Sequence, residues 1–137
     1  MTLEEKLAEV NATLSDVAVQ SAFRSLISTG NPEAVAQSLD SAANMQQSIS
    51  IHLQLFRDNL TYGDRPGDTP PSARFAMLVG SMSTLSKNMP DILDQLKAAL
   101  PESKNHQQAL ETIGTFATRM GELAQELVIM LAPARTR

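Results

Sequence analysis

Glu5 and Glu9 stand four residues apart and Asp91 and Asp94 three apart, so that on a helix each pair projects from one face. Acidic residues a turn apart on neighbouring helices can gather Mg²⁺ for the cleavage of nucleoside triphosphates. The hairpin arithmetic below sends these two pairs toward opposite ends of a bundle, where they would not share an ion. Carboxylates in a first turn or just after a proline also favour the helix dipole without any chemistry. Bundles that hold two metals use Glu-x-x-His pairs on facing helices, but neither His52 nor His106 has a glutamate three residues before it. His52 lies beside an apolar stripe, next to Leu53, and is expected at a core boundary. His106 falls in the first turn of the last helix and is expected in solvent.

Cysteine is absent, which removes disulfides, thiolate nucleophiles and cysteine-bound metals together. Serine is plentiful, but two histidines and no glycine-rich elbow leave no nucleophile constellation, and no glycine loop is suited to cradling phosphate. The sequence therefore reads as non-enzymatic, with no cofactor and no metal. A carboxylate- or metal-dependent all-helical hydrolase is the alternative from another class. A third reading is a binder of a hydrophobic small molecule in a bundle core lined by Met45, Met82, Met89 and Met120.

The 137 residues carry 11 Lys and Arg against 15 Asp and Glu, a net charge of -4. The basic residues are scattered singly, which argues against a nucleic-acid partner, since phosphate neutralisation needs them clustered. No apolar run approaches the ~20 residues that cross a bilayer, so no membrane insertion is expected. The opening Met-Thr-Leu-Glu-Glu lacks the basic-then-apolar order of a signal peptide. A cytoplasmic location is the default, and a protein delivered by a signal-less secretion route would look the same.

More telling is where charge is missing. From Val35 to Phe56 the only charged residue is Asp40, and from Phe75 to Ser86 the sole exceptions to apolar and small residues are uncharged hydroxyls. Depletion of charge marks the cores of interfaces, although a low-charge sequence gives the same pattern. Projected at about 100° per residue, Ile51 and Leu55 fall on the back of the second long helix, Met77 on the back of the third and Ile129 on the back of the fourth. All four belong at the connector end, with Tyr62 near the rim and the apolar run Leu127 to Ala132 close by. Either the connector folds over them or they form a patch for a protein partner or a second copy. The functional expectation is an interaction module of adaptor, chaperone, inhibitor or immunity type, acting through helix faces.

The elements that position these residues are amphipathic helices. With 42% hydrophobic and 19% charged residues, the chain has the composition of a packed domain. Phe75, Leu78, Met82, Leu85, Met89, Ile92, Leu96 and Ala99 recur at alternating spacings of three and four, the seam of one long helix whose phase is unbroken across a kink at Pro90. The first helix opens on a Thr2–Glu5 capping box and carries Leu3, Leu7, Val10, Leu14 and Val17; its apolar face then swings to Val19, Phe23, Leu26 and Ile27. Two readings are open there, a break near Ser15 and Asp16 or a second interface on an unbroken rod. Thr29-Gly30 closes it and Asn31-Pro32-Glu33 starts the next, with Val35, Leu39, Ala42, Met45, Ile49, Leu53, Phe56 and Leu60 as its stripe. Small residues Ala76, Gly80 and Thr84 flank the seam. Since Gly80 costs a helix about 1 kcal/mol relative to Ala, a neighbouring backbone is expected close to it.

Helices are predicted over about 3–28, 32–60, 72–100 and 103–132, the third capped by Thr69-Pro70 or Ser72, the fourth carrying Leu110, Ile113, Ala117, Met120, Ala124, Leu127 and Leu131. Two hairpins joined by connector 61–71, with a frayed tail at 133–137, make an all-α fold: one domain of residues 1–137 packed as an antiparallel four-helix bundle.

Overall fold

Thr2 and Glu5 close the first turn on each other: the Glu5 amide donates to Thr2 Oγ1 at 3.1 Å and the Thr2 amide to Glu5 Oε1 at 3.1 Å. This is the expected capping box, and α1 (Leu3–Leu14) grows from it. A computed structural model describes residues 2–26, 33–62, 71–100 and 103–131, which are helices and their ends with no strand among them. The predicted turn at Thr29 to Pro32, the connector between 63 and 70, the Thr69-Pro70 cap and the tail from 132 lie outside the described residues.

The rod predicted over 3–28 is two helices. The Ser15 amide still reaches the Asn11 carbonyl at 3.0 Å, but Asp16 then caps a new start, its carboxylate accepting the Ala18 amide at 2.8 Å. Helix α2 (Val17–Leu26) follows. The break re-aims the apolar face, so that Leu7, Val10 and Leu14 of α1 and Val19, Ala22, Phe23 and Leu26 of α2 are all buried. Val17, assigned by its spacing to the α1 stripe, instead stands exposed at the head of α2. Gln20 spans the join, its Nε2 donating to the Leu14 carbonyl at 3.1 Å.

Three long helices complete the fold: α3 (Glu33–Tyr62), α4 (Pro71–Ala99) and α5 (Lys104–Leu131). Helices α3 and α4 take in Thr61, Tyr62 and Pro71 from the ends of the predicted connector. Proline suits the first helical position because no amide donor is needed there; Ser72 is thus inside the helix, not its cap. Ser103 caps α5, its Oγ accepting the His106 amide at 3.1 Å. Pro90 lies within an unbroken α4, its side chain on the exposed face. The ring that cannot donate to the preceding turn is therefore kept out of the core, and the seam holds its phase.

Helix α4 packs between α3 and α5, α5 also takes α2 and α1, and α1 touches α3. Ser48 meets Ser81 and Ser38 meets Gln95 across α3 and α4; Gly121 meets Ser86 and Gly114 meets Leu93 across α4 and α5; Lys6 meets Glu126 and Glu9 meets Arg119 across α1 and α5. In each pairing one residue number rises as the other falls, so neighbours are antiparallel and the chain is an all-α bundle. Leu78, Met82, Leu85, Met89 and Leu96 of α4 are almost wholly enclosed, with Ile49, Ile113, Met120, Leu123 and Leu127 around them. Each such side chain contributes roughly 1.5–3 kcal/mol of burial. Met82, Met89 and Met120 are core and Met45 is half-buried, while the Phe56 and Phe75 rings meet at 5.5 Å, tilted by 53°.

Two stripe assignments shift. Leu60 is exposed and Asn59 is buried in its stead: Arg57 is level with Glu4 in the first turn of α1, so Leu60 lies past the start of the helix that would cover it. On α5, Ala109, Phe116 and Leu123 are buried beside the expected stripe. A helix contacted by α1, α2 and α4 buries a wider arc than one stripe describes. The close approach expected at Gly80 occurs elsewhere. Among the described residues nothing lies within 4 Å of where a Gly80 Cβ would stand, whereas a Cβ on Gly121 would strike the Ser86 side chain, its Cβ at 3.0 Å.

Candidate interaction surface

Ser81 fixes how α3 and α4 meet. Its hydroxyl donates to the Met77 carbonyl at 2.8 Å and lies 3.4 Å from the Ser48 hydroxyl. Farther toward the connector, Arg74 Nη1 donates to the Leu55 carbonyl at 2.9 Å. That antiparallel register sets Ile51 and Leu55 level with Met77 on the outer side of the seam. The three side chains are 50%, 41% and 51% exposed.

Ile129 is 64% exposed on the back of α5. With Val128 it lines a groove of about 300 Å³ whose other wall is Val79 and Ser83 of α4. The residues expected to form one patch therefore lie in two clusters, one on each seam of α4. Between them runs the outer ridge of α4 with Ala76, Gly80 and Thr84, all exposed. Small side chains keep that ridge low, so the clusters flank a shallow face and not a wall. No charged residue occurs on α4 between Arg74 and Lys87, nor on α3 between Asp40 and Arg57. Tyr62 ends α3, and its side chain lies outside the described residues.

The corner around α1 is charged. Lys6, with its side chain only 10% exposed, binds the Glu126 carboxylate and lies 3.8 Å from Glu9. Arg119 binds Glu9, reaches Glu126 at 3.0 Å and Glu122 at 3.3 Å. Arg57 adds an exposed link to Glu4 at 3.3 Å. The hydrogen bond from Lys6, and then Arg119, hold the Glu126 carboxyl below its ordinary range against the opposing effect of burial. Burial pulls the Arg119 guanidinium down, but its carboxylate partners raise it further and the net shift is upward. At Glu5 the backbone and side-chain hydrogen bonds of Thr2 hold the carboxyl low.

This cluster was not drawn from the sequence, although a signal existed. Lys6, Glu9, Arg119 and Glu126 each directly precede a core residue, Leu7, Val10, Met120 and Leu127. A residue one step before the core stripe flanks it on a fixed side, and antiparallel packing turns those flanks of α1 and α5 toward each other.

The two acidic pairs are held apart. Glu5 caps its own helix and Glu9 is bound to cations, while Asp91 and Asp94 lie exposed on α4. Glu9 is level with Arg119, and the α4–α5 register sets Asp91 and Asp94 near residues 116 and 113. The separation is a matter of turns along α5 and not the length of the bundle. Among the described residues no group of three or more His, Cys, Asp and Glu could hold a metal ion. His52 is half-buried at the core boundary, as its spacing implies; His106, expected in solvent, is half-buried too. It sits with Leu100, Leu110 and Ser103 around a cleft of about 250 Å³ at the α4–α5 turn. Two further grooves flank α5 at Arg119. One of about 410 Å³ is lined by Thr13, Asp16 and Phe116, and a shallow one of about 880 Å³ by Pro90, Asp94 and Thr118. The guanidinium shared by both is already committed to carboxylates. Among the described residues no helix is long and apolar enough to cross a membrane.

In comparisons with protein-family models, curated proteins and solved structures, nothing matches this chain.

Proposed function

We propose that the protein is a non-enzymatic interaction module that binds another polypeptide, of different sequence or its own, through the uncharged apolar face centred on α4. The observation that carries this reading is the exposure of Ile51, Leu55, Met77, Val128 and Ile129 on the two flanks of one low, uncharged ridge. Isolated apolar residues on a surface are ordinary; several gathered on one face, with charge depleted among them, have the composition of an interface centre. An adaptor, chaperone, inhibitor or immunity protein would use such a face in the same way. Its binding energy comes from apolar area removed from water, and its specificity from shape and from hydroxyl and amide groups at the margin.

The test replaces Leu55 and Ile129 together by Asp and compares the double variant with the parent by quantitative co-purification from the cells that make the protein. The parent is expected to recover a polypeptide, foreign or identical, in fixed stoichiometry, and the variant to lose it while keeping its helical circular dichroism and melting temperature. Equal recovery by both chains, or recovery of nothing by the parent, overturns the reading.

A further inference from the structure

We infer that α1 is an acid-released lid: as its carboxylate pairs take up protons it swings away as one unit at the Ser15–Asp16 joint, while α2 to α5 stay folded. The α4 face proposed above plays no part in this motion.

The geometry of the joint lets α1 part from the rest. Asp16 caps a new helix there, its carboxylate accepting the Ala18 amide at 2.8 Å, so α2 does not depend on α1 for its first turn. Helix α2 also buries its own Val19, Ala22, Phe23 and Leu26 and packs on α5; it stays anchored when α1 leaves. At its other end α1 closes its first turn on itself through the Thr2–Glu5 capping box. Its apolar hold on the bundle is Leu7, Val10 and Leu14. Leu123 and Leu127, wholly enclosed, lie on the length of α5 that α1 grips through Arg119 and Glu126, and release uncovers them.

The placement of charge makes that hold conditional on pH. Among the described residues the ion pairs between helices all involve α1, so acid strikes its contacts and spares the hydroxyl, amide and apolar contacts of α3 with α4. Lys6 sets the trigger. Its side chain is only 10% exposed, and the carboxylates facing it are Glu126 of α5 and Glu9 of its own helix. Arg119 shares both and takes Glu122 as well; from α3, Arg57 reaches Glu4. A lysine ammonium keeps its charge throughout the acid range. Once Glu9 and Glu126 are neutral, Lys6 is a buried cation with no counter-charge, which costs far more than a broken surface pair. Swinging out returns it to water. Glu126 is held below the ordinary carboxylate range, so its hold is complete above that range and is lost as pH falls through the lower folded value.

The experiment follows amide hydrogen exchange of the full chain from about pH 7 to about pH 3, each rate divided by that of the same amide in an unstructured peptide at the same pH. The chains compared are the parent, Lys6→Met and the control Lys87→Met, whose lysine is exposed on α4. In the parent, protection over residues 3–14 should fall about 100-fold or more and vanish while the amides from Leu78 to Leu96 remain protected. Lys6→Met has no buried ammonium to expel, so its α1 should stay protected at a pH where the parent's has opened; Lys87→Met should follow the parent. Loss of protection in α1 and α4 at one and the same pH overturns the inference, as does an α1 still protected at pH 3 or a Lys6→Met chain that opens where the parent does. If Lys6→Met does not fold, Glu126→Gln takes its place. With one partner of Lys6 neutral at every pH, its α1 should be about 10-fold less protected than the parent's at pH 7 and equal to it at pH 3; equal protection at pH 7 overturns the inference too.

Discussion

Among the described residues, every ion pair between helices has one partner on α1, whereas α3 and α4 are joined by hydroxyls, by Gln95, by Arg74 on the Leu55 carbonyl and by apolar side chains. The two sides of the bundle thus divide the chain's chemistry between them. Charged pairs hold α1 at a definite angle and height on α5, at the cost of sensitivity to salt and acid. Between Arg74 and Lys87 the α4 side carries no charge to be screened or titrated, and its outer face there is left with groups that bury well. Charge placed beside a core stripe orients a helix inside its own chain; its absence over two helices leaves a face that another surface can cover.

The largest effect expected tests whether charge or burial holds α1. Leu7 is wholly enclosed, and Leu7→Ala should cost about 3 kcal/mol in urea denaturation. If the ion cluster were the main fastening, Glu126→Gln would cost as much. Next come two glycines that ought to respond in opposite directions. Gly121→Ala forces a methyl against Ser86 and should lose about 1–3 kcal/mol, recovered in part by adding Ser86→Gly. Gly80→Ala meets nothing among the described residues and should gain up to about 1 kcal/mol of stability from helix propensity. Equal losses at the two positions would mean that the α4 ridge is covered within the chain.

Smaller, but diagnostic, is the pH dependence of the charged corner. Glu126 gives up its proton more readily folded than unfolded, so its contribution is complete above the ordinary carboxylate pKa and disappears as pH falls through its lower folded value. At neutral pH Glu126→Gln should cost about 1–2 kcal/mol. Melting curves of parent and variant should converge in acid, the parent falling more steeply. A constant gap between the two curves would show that the cluster does not titrate with the fold. The least effect belongs to the surface: Arg57→Ala should change stability by under about 0.5 kcal/mol. Leu55→Asp and Ile129→Asp should stay within about the same limit for the isolated chain.

Helix type, the antiparallel order and the α4 seam were legible because periodicity reports burial directly: Leu78 through Leu96 recur at helical spacing and are enclosed where they recur. The outward Ile51, Leu55, Met77 and Ile129 were legible for the same reason, as apolar residues out of phase with the stripe. What one helix at a time does not contain is the arc a helix buries when it has three neighbours. Phe116 and Leu123 escaped on that account, and Val17 and Leu60 were misassigned because local phase does not say where a covering helix begins or breaks. The Lys6–Glu126–Arg119–Glu9 cluster needed the relative height of α1 and α5, a property of packing. Gly80 and Gly121 look alike in the sequence; a neighbour's distance separates them.

The turn at Ser15 and Asp16 gives the chain one joint at which a change of length is absorbed. Because α1 and α2 each settle on α5 through their own apolar face, a residue inserted between them lengthens a loop and leaves both faces aligned. The same insertion in the middle of α4 would swing everything beyond it by roughly 100°, carrying half of its seam out of the core. Insertions and deletions among sequences that share this fold should therefore collect at that joint and be excluded from α4.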